Sequence, residues 1–117
     1  MAKKFTLILG VVLAGTGVWG WLTGGHDHVL VVFGVNMTHN LVHLLSGIVA
    51  LLAAFAGGEK ASKLYCLVFG AVYGLVAVAG FLNVTQVVTM LNLNTADNFI
   101  HTCIAAASLY FGATSNG

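Results

Sequence analysis

The placement of charge constrains this chain more than any other feature. Phe5 to Leu22 is a run of 18 residues without Lys, Arg, Asp or Glu; Met37 to Gly57 is a second such run and Leu64 to Ala96 a third. Only 6% of the 117 residues are charged, while 59% are hydrophobic. A soluble domain carries about 25% charged residues, and four lysines with three acidic residues cannot cover a globule of this size. Composition therefore rules out a water-soluble fold, and with it a nucleic-acid reader, which needs a basic face. Fifteen glycines without a single proline suit helices that pack closely in lipid. Two cysteines are too few for a disulfide framework.

A bilayer core about 30 Å thick takes roughly 20 residues of helix. The third uncharged run is too long for one crossing and carries polar punctuation at Asn83, Thr85, Gln86, Asn92 and Asn94. The pattern predicts an all-α membrane protein: one transmembrane domain over residues 1–117, with helices at about 5–22, 37–57, 62–82 and 95–113. A single tilted helix from Ala61 to Ala96 is the alternative and would leave three crossings. A β-barrel is excluded, because no segment alternates apolar and polar residues between turns.

With an even number of crossings, Lys3, Lys4, Lys60 and Lys63 share one side. The positive-inside rule puts that side, and both termini, in the cytoplasm. Asp27, Asp97 and all five histidines then fall toward the exoplasmic face, with Trp19 and Trp21 at the outer headgroup layer. Met1-Ala-Lys-Lys before an apolar run also has the form of a secretory signal. Ala14-Gly-Thr16 is a poor cleavage site, so the helix is expected to be retained.

The halves of the chain resemble each other. Shifted by 60 residues, Leu7-Ile-Leu-Gly10-Val-Val12 lies over Leu67-Val-Phe-Gly70-Ala-Val72. Shifted by 58, Asn36-Met-Thr-His39-Asn40-Leu-Val-His43 lies over Asn94-Thr-Ala-Asp97-Asn98-Phe-Ile-His101. Polar side chains are rare in lipid-embedded helices, so the second match says more than the first. Two tandem helical hairpins, about 5–57 and 62–113, would form a parallel internal repeat with its pseudo-two-fold along the membrane normal. Gly70-x-x-x-Gly74 and Gly10-x-x-x-Ala14 are small-residue faces that let backbones approach; packing within one bundle is a simpler use for them than a dimer face.

Residues four apart share a helix face. His39 and His43 therefore project together from the second helix, and Asp97 and His101 from the fourth. If the repeat axis brings these helices side by side, His39, His43, Asp97 and His101 form a donor set for a transition metal such as zinc, iron, manganese or copper. His43 and His101 occupy equivalent positions and could instead ligate a macrocycle, either haem or a chlorophyll-type pigment. A purely structural use competes with both. Asn36 and Asn94 stand where N-caps belong, Asn94-x-x-Asp97 has the form of a capping box, and Asn40, Asn98 and the histidines can hydrogen-bond between helices. His26-Asp27-His28 is most simply a solvated loop. Cys66 and Cys103 fall at depths too different for a disulfide. No nucleophile–base set, intramembrane carboxylate pair or phosphate loop appears, so no enzyme activity is expected.

These motifs resemble a family of small bacterial four-helix membrane proteins catalogued as a domain of unknown function. The resemblance rests on Asn36-x-x-His39-Asn40-x-x-His43-Leu-x-x-Gly47, Leu64-Tyr-x-x-x-Phe69-Gly70-x-x-Tyr73 and Leu93-Asn-Thr-Ala-Asp97-Asn98-x-x-His101. It departs at Met37-Thr38, neither of which is a candidate ligand. It implies four helices in a bacterial inner or intracytoplasmic membrane and carries no activity with it. The expected role is a non-enzymatic accessory or scaffold subunit meeting lipid and other membrane proteins, or a second copy of itself, through its helix surfaces. The alternative is a protein that binds a metal, haem or pigment at the His/Asp cluster.

Overall fold

In a computed structural model of the chain, residues 1–24, 26–30 and 33–115 are described; the last two positions of the expected 1–117 unit lie outside them. The chain folds as α1 (Ala2–Thr23), β1 (His28–Leu30), β2 (Phe33–Val35), α2 (Met37–Phe81), α3 (Thr85–Leu91) and α4 (Thr95–Thr114). It is an all-α protein apart from the short antiparallel pair β1–β2, in which Val29 faces Gly34.

The 45 residues of α2 would span about 67 Å as one rod, but the molecule is only 39 Å in its longest dimension. The resolution is Gly58, whose backbone leaves the helix at φ 67° and ψ −149°. Only glycine adopts that region without strain. The arms 37–57 and 59–81 fold back on each other there, and the Tyr65 hydroxyl donates to the Ser46 carbonyl of the opposite arm at 2.9 Å. The two helices expected at 37–57 and 62–82 are thus the arms of α2. Its end at Phe81 and the separate α3 replace the single long helix held as the alternative.

Asparagines close these elements. Asn83, just past α2, and Asn92, which ends α3, take φ of 57° and 52°, a left-handed conformation that asparagine tolerates better than most residues. Asn36 and Asn94 cap α2 and α4, accepting from the backbone N–H of His39 and Asp97, and Asp97 completes a capping box.

Packing is close and repeats itself. A Cβ on Gly10 would press on Ala50 and Leu51, and one on Gly70 would press on Ser108 and Leu109. A Cβ on Gly20 would collide with the Asn40 carboxamide, and one on Gly80 with that of Asn98. Thr6 Oγ1 lies 3.3 Å from Cys66 Sγ where α1 crosses the second arm of α2.

The distribution of polarity is inverted relative to a water-soluble bundle. Buried positions include Thr6, His39, Asn40, Ser46, Asn98 and Ser108, while Leu52, Phe55 and Leu75 are 62–74% exposed. Among the described residues, two helices, α1 and α2, are long and apolar enough to cross a membrane. One end of the molecule gathers the chain start, the Gly58 turn and the end of α4. There the Met1 ammonium meets Glu59 Oε1 at 2.8 Å, the Ser115 hydroxyl donates to the same oxygen at 3.2 Å, and Lys63 Nζ donates to the Ser115 carbonyl at 2.9 Å. The Met1 ammonium, and then the Lys3 backbone N–H, hold the Glu59 carboxyl down at about 2.

Candidate metal centre

The site lies toward the other end. His39 and His43 stand in the first two turns of α2 and His101 in the second turn of α4, each buried. Their helical registers follow from the caps at Asn36 and Asn94, which fix where each helix begins. One potential ligand atom from each of His39, His43 and His101 lies within 4.8 Å of the other two. The ring centroids are 4.3 Å apart for His39 and His43, 5.5 Å for His39 and His101, and 5.9 Å for His43 and His101.

Each ring has a different set of partners. His39 Nδ1 lies 2.9 Å from the Leu91 carbonyl. A carbonyl can only accept, so Nδ1 carries the proton and Nε2 presents its lone pair inward. That Nε2 lies 3.1 Å from His43 Nε2. Among the described residues, His43 Nδ1 has no hydrogen-bond partner, and in His101 neither nitrogen has one. An unpaired buried polar group costs about 1–3 kcal/mol.

A metal ion fits this arrangement. Zinc sits about 2.0–2.1 Å from imidazole nitrogen in a tetrahedral shell, which separates two such nitrogens by about 3.3 Å. The His39–His43 pair is already near that spacing at 3.1 Å, and a His101 nitrogen within 4.8 Å of both is the third candidate ligand. The Leu91 carbonyl plays the part that outer partners commonly play at metal-bound histidine: it fixes the tautomer and the ring orientation. A cavity of about 30 Å³ bordered by all three histidines holds one ion or one water. A larger cavity of about 190 Å³ borders His43, His101 and Asp97. Cofactor pockets ordinarily measure about 300–1,000 Å³, larger than either space.

Asp97 does not join the three nitrogens. Its Oδ2 accepts the backbone N–H of Asn94 at 3.0 Å, the Asp97 backbone N–H donates to Asn94 Oδ1 at 2.9 Å, and Gly34 adds a further backbone hydrogen bond. Its place is the wall of the larger cavity. In the outer loop, His28 has both ring nitrogens engaged, by the Thr23 hydroxyl at 2.8 Å and the His26 carbonyl at 2.7 Å. Cys66 and Cys103 are both free thiols.

Sequence reasoning missed the contribution of α3. Its last residue supplies the carbonyl that orients His39, and Asn92 then ties the segment to the hairpin by donating to the carbonyls of His28 and Val35 at 3.2 and 2.9 Å. Leu91 is buried at the end of a seven-residue helix. The run Val87-Val-Thr-Met-Leu91 was the available signal, although so short an apolar run is a weak one.

No curated protein and no solved structure matches the chain. A family model does, over residues 3–114. The chain belongs to the family described as Domain of unknown function (DUF4383).

Proposed function

We propose that this chain is a four-span integral membrane protein that binds one first-row transition metal ion through His39, His43 and His101. A single observation carries the metal: three buried imidazoles converge while, among the described residues, three of their ring nitrogens lack a hydrogen-bond partner. Imidazole ligands suit zinc, iron, copper or nickel. Asp97 lies outside the proposed ligand set and lines the adjoining cavity.

The membrane part of the proposal is supported by the exposed leucines and phenylalanines around a small, polar interior. The spans would be α1, the two arms of α2, and α4, whose 20 residues reach about 30 Å. The lysine-bearing end would face the cytoplasm of a bacterial inner membrane, with both termini, and the metal would sit toward the exoplasmic face.

A parallel repeat of two hairpins is supported by matched contacts. Gly20 against Asn40 corresponds to Gly80 against Asn98, and Gly10 against Ala50 and Leu51 corresponds to Gly70 against Ser108 and Leu109. The pseudo-two-fold would pass between Thr6 and Cys66 and between His43 and His101. His39 and Asp97 are then equivalent positions with different duties, one a ligand and the other a cap. A non-enzymatic accessory role in a larger membrane assembly is compatible with metal binding, with partners meeting the Leu- and Phe-rich outer surface.

The test is elemental analysis and an absorption spectrum of detergent-purified protein, beside a His43→Ala/His101→Ala variant that remains monodisperse. The expected result is about one transition metal ion per chain, lost in the variant. A wild type that takes up no metal after incubation with zinc or cobalt would overturn the proposal. A Soret or chlorin band would replace the ion with a macrocycle.

A further inference from the structure

Three protein ligands leave a tetrahedral ion with an open fourth position, the arrangement that distinguishes reactive metal sites from structural ones. What lies beside that position decides which molecule can fill it. The first space is the 30 Å³ one, bordered by all three histidines and already the place of the ion itself. The second space is the 190 Å³ chamber lined by residues of α1, β2 and α4, which also borders His43 and His101.

Val12, Val35, Ile100 and Ile104 wall this chamber, and Thr16 and Asp97 are its polar lining besides the histidines. Val12 and Ile100 are 54% and 38% exposed on the apolar exterior, so the chamber reaches the surface that would face lipid. A charged ligand would have to give up its hydration to enter, at a cost of several kcal/mol or more. An uncharged one would not. For scale, an apolar cavity of about 150 Å³ stays dry and accepts benzene.

We propose that the chamber delivers a small uncharged ligand of the diatomic-gas class, such as dioxygen or nitric oxide, from the membrane phase to the open position of the metal held by His39, His43 and His101. The proposal rests on the metal reading above. It involves coordination alone: one metal–ligand bond forms, or a bound water leaves as it forms. The chamber selects by lack of charge, and the histidines supply the ion.

Nitric oxide is the probe, because its ferrous adduct has a characteristic half-integer-spin EPR signal. Detergent-purified full-length protein would be loaded with ferrous iron without oxygen, its iron content measured, and nitric oxide added. Wild type should give a nitrosyl signal in proportion to bound iron. Ile104→Trp fills the chamber and leaves all three histidines in place, and it should retain the iron while losing the signal. Should Ile104→Trp fail to fold, Val12→Phe narrows the same chamber from the exposed side of α1 and should weaken nitric oxide binding at equal iron content.

Iron that binds without a nitrosyl signal in wild type overturns this inference alone. An equal signal in wild type and in the chamber variants also overturns it, because the ligand then arrives by another route. Failure to bind iron or any other metal removes the metal reading, and this inference with it.

Discussion

His39 and His101 contribute to the same cluster from opposite circumstances, and their variants should separate metal binding from stability. His39 is held by the Leu91 carbonyl, whereas His101 has two unpaired buried nitrogens. Replacement of either by leucine should abolish metal uptake. In metal-free protein, His39→Leu should cost about 1–3 kcal/mol, because it leaves the Leu91 carbonyl without its donor. His101→Leu should be near neutral or stabilising, since it removes groups that had nothing to bond. Denaturation in detergent, with and without metal, reads both effects. Acidification should release the ion, because only the neutral ring ligates. Glu59 also responds to acid. Its carboxyl is held at about 2, below the 4.5 of a free glutamate. Its stabilising contribution is therefore fully present above 4.5 and lost as pH falls from there toward 2. The melting temperature of metal-free wild type should exceed that of Glu59→Gln near neutral pH, and the gap should close in acid.

Among the elements, α2 depends most on one backbone conformation. Gly58 and Gly15 both face open space, so a methyl group would touch nothing within 4 Å at either. The two should nevertheless respond with opposite signs. Gly58→Ala forces a side chain into a region at φ 67° and should destabilise by about 1–3 kcal/mol. Gly15→Ala sits in ordinary helix on the exposed side of α1 and should stabilise by about 0.5–1 kcal/mol. Thermal or denaturant unfolding in one detergent compares them. Charge-free runs made the long helices legible, to within a few residues at each end, because lysines and Glu59 mark the turn between the arms of α2. The convergence of His39, His43 and His101 was also legible, since four-residue spacing and a 58-residue shift place all three on facing surfaces. The short α3 was not: Thr85, Gln86 and Thr89 read as loop, and its reason to be helical is the burial of Leu91. Asp97 was ambiguous for a chemical reason. A carboxylate at the third helical position is equally suited to capping and to ligating, and only the hydrogen bonds to Asn94 distinguish them.

For the whole molecule, the inverted polarity predicts where charge is least tolerated. Leu75→Arg, at an exposed position in the middle of an arm, should oppose insertion by about 2.5–3.5 kcal/mol if that surface meets lipid. Membrane fractionation or a glycosylation-site insertion assay would measure the shift. In a water-soluble protein the same change would be harmless. The turn at Gly58 has one more consequence. Across it, the two hairpins are joined by a single strand of backbone whose central residue touches nothing with its side. Their association draws on Thr6 beside Cys66, Tyr65 on Ser46, Asn92 on the hairpin carbonyls, the Met1 ammonium on Glu59 and the histidines of both halves. The peptide bond there serves proximity more than cohesion. Residues 1–57 and 58–117, made as two separate polypeptides in the same cell, should therefore find each other and purify as a stoichiometric pair that still takes up metal.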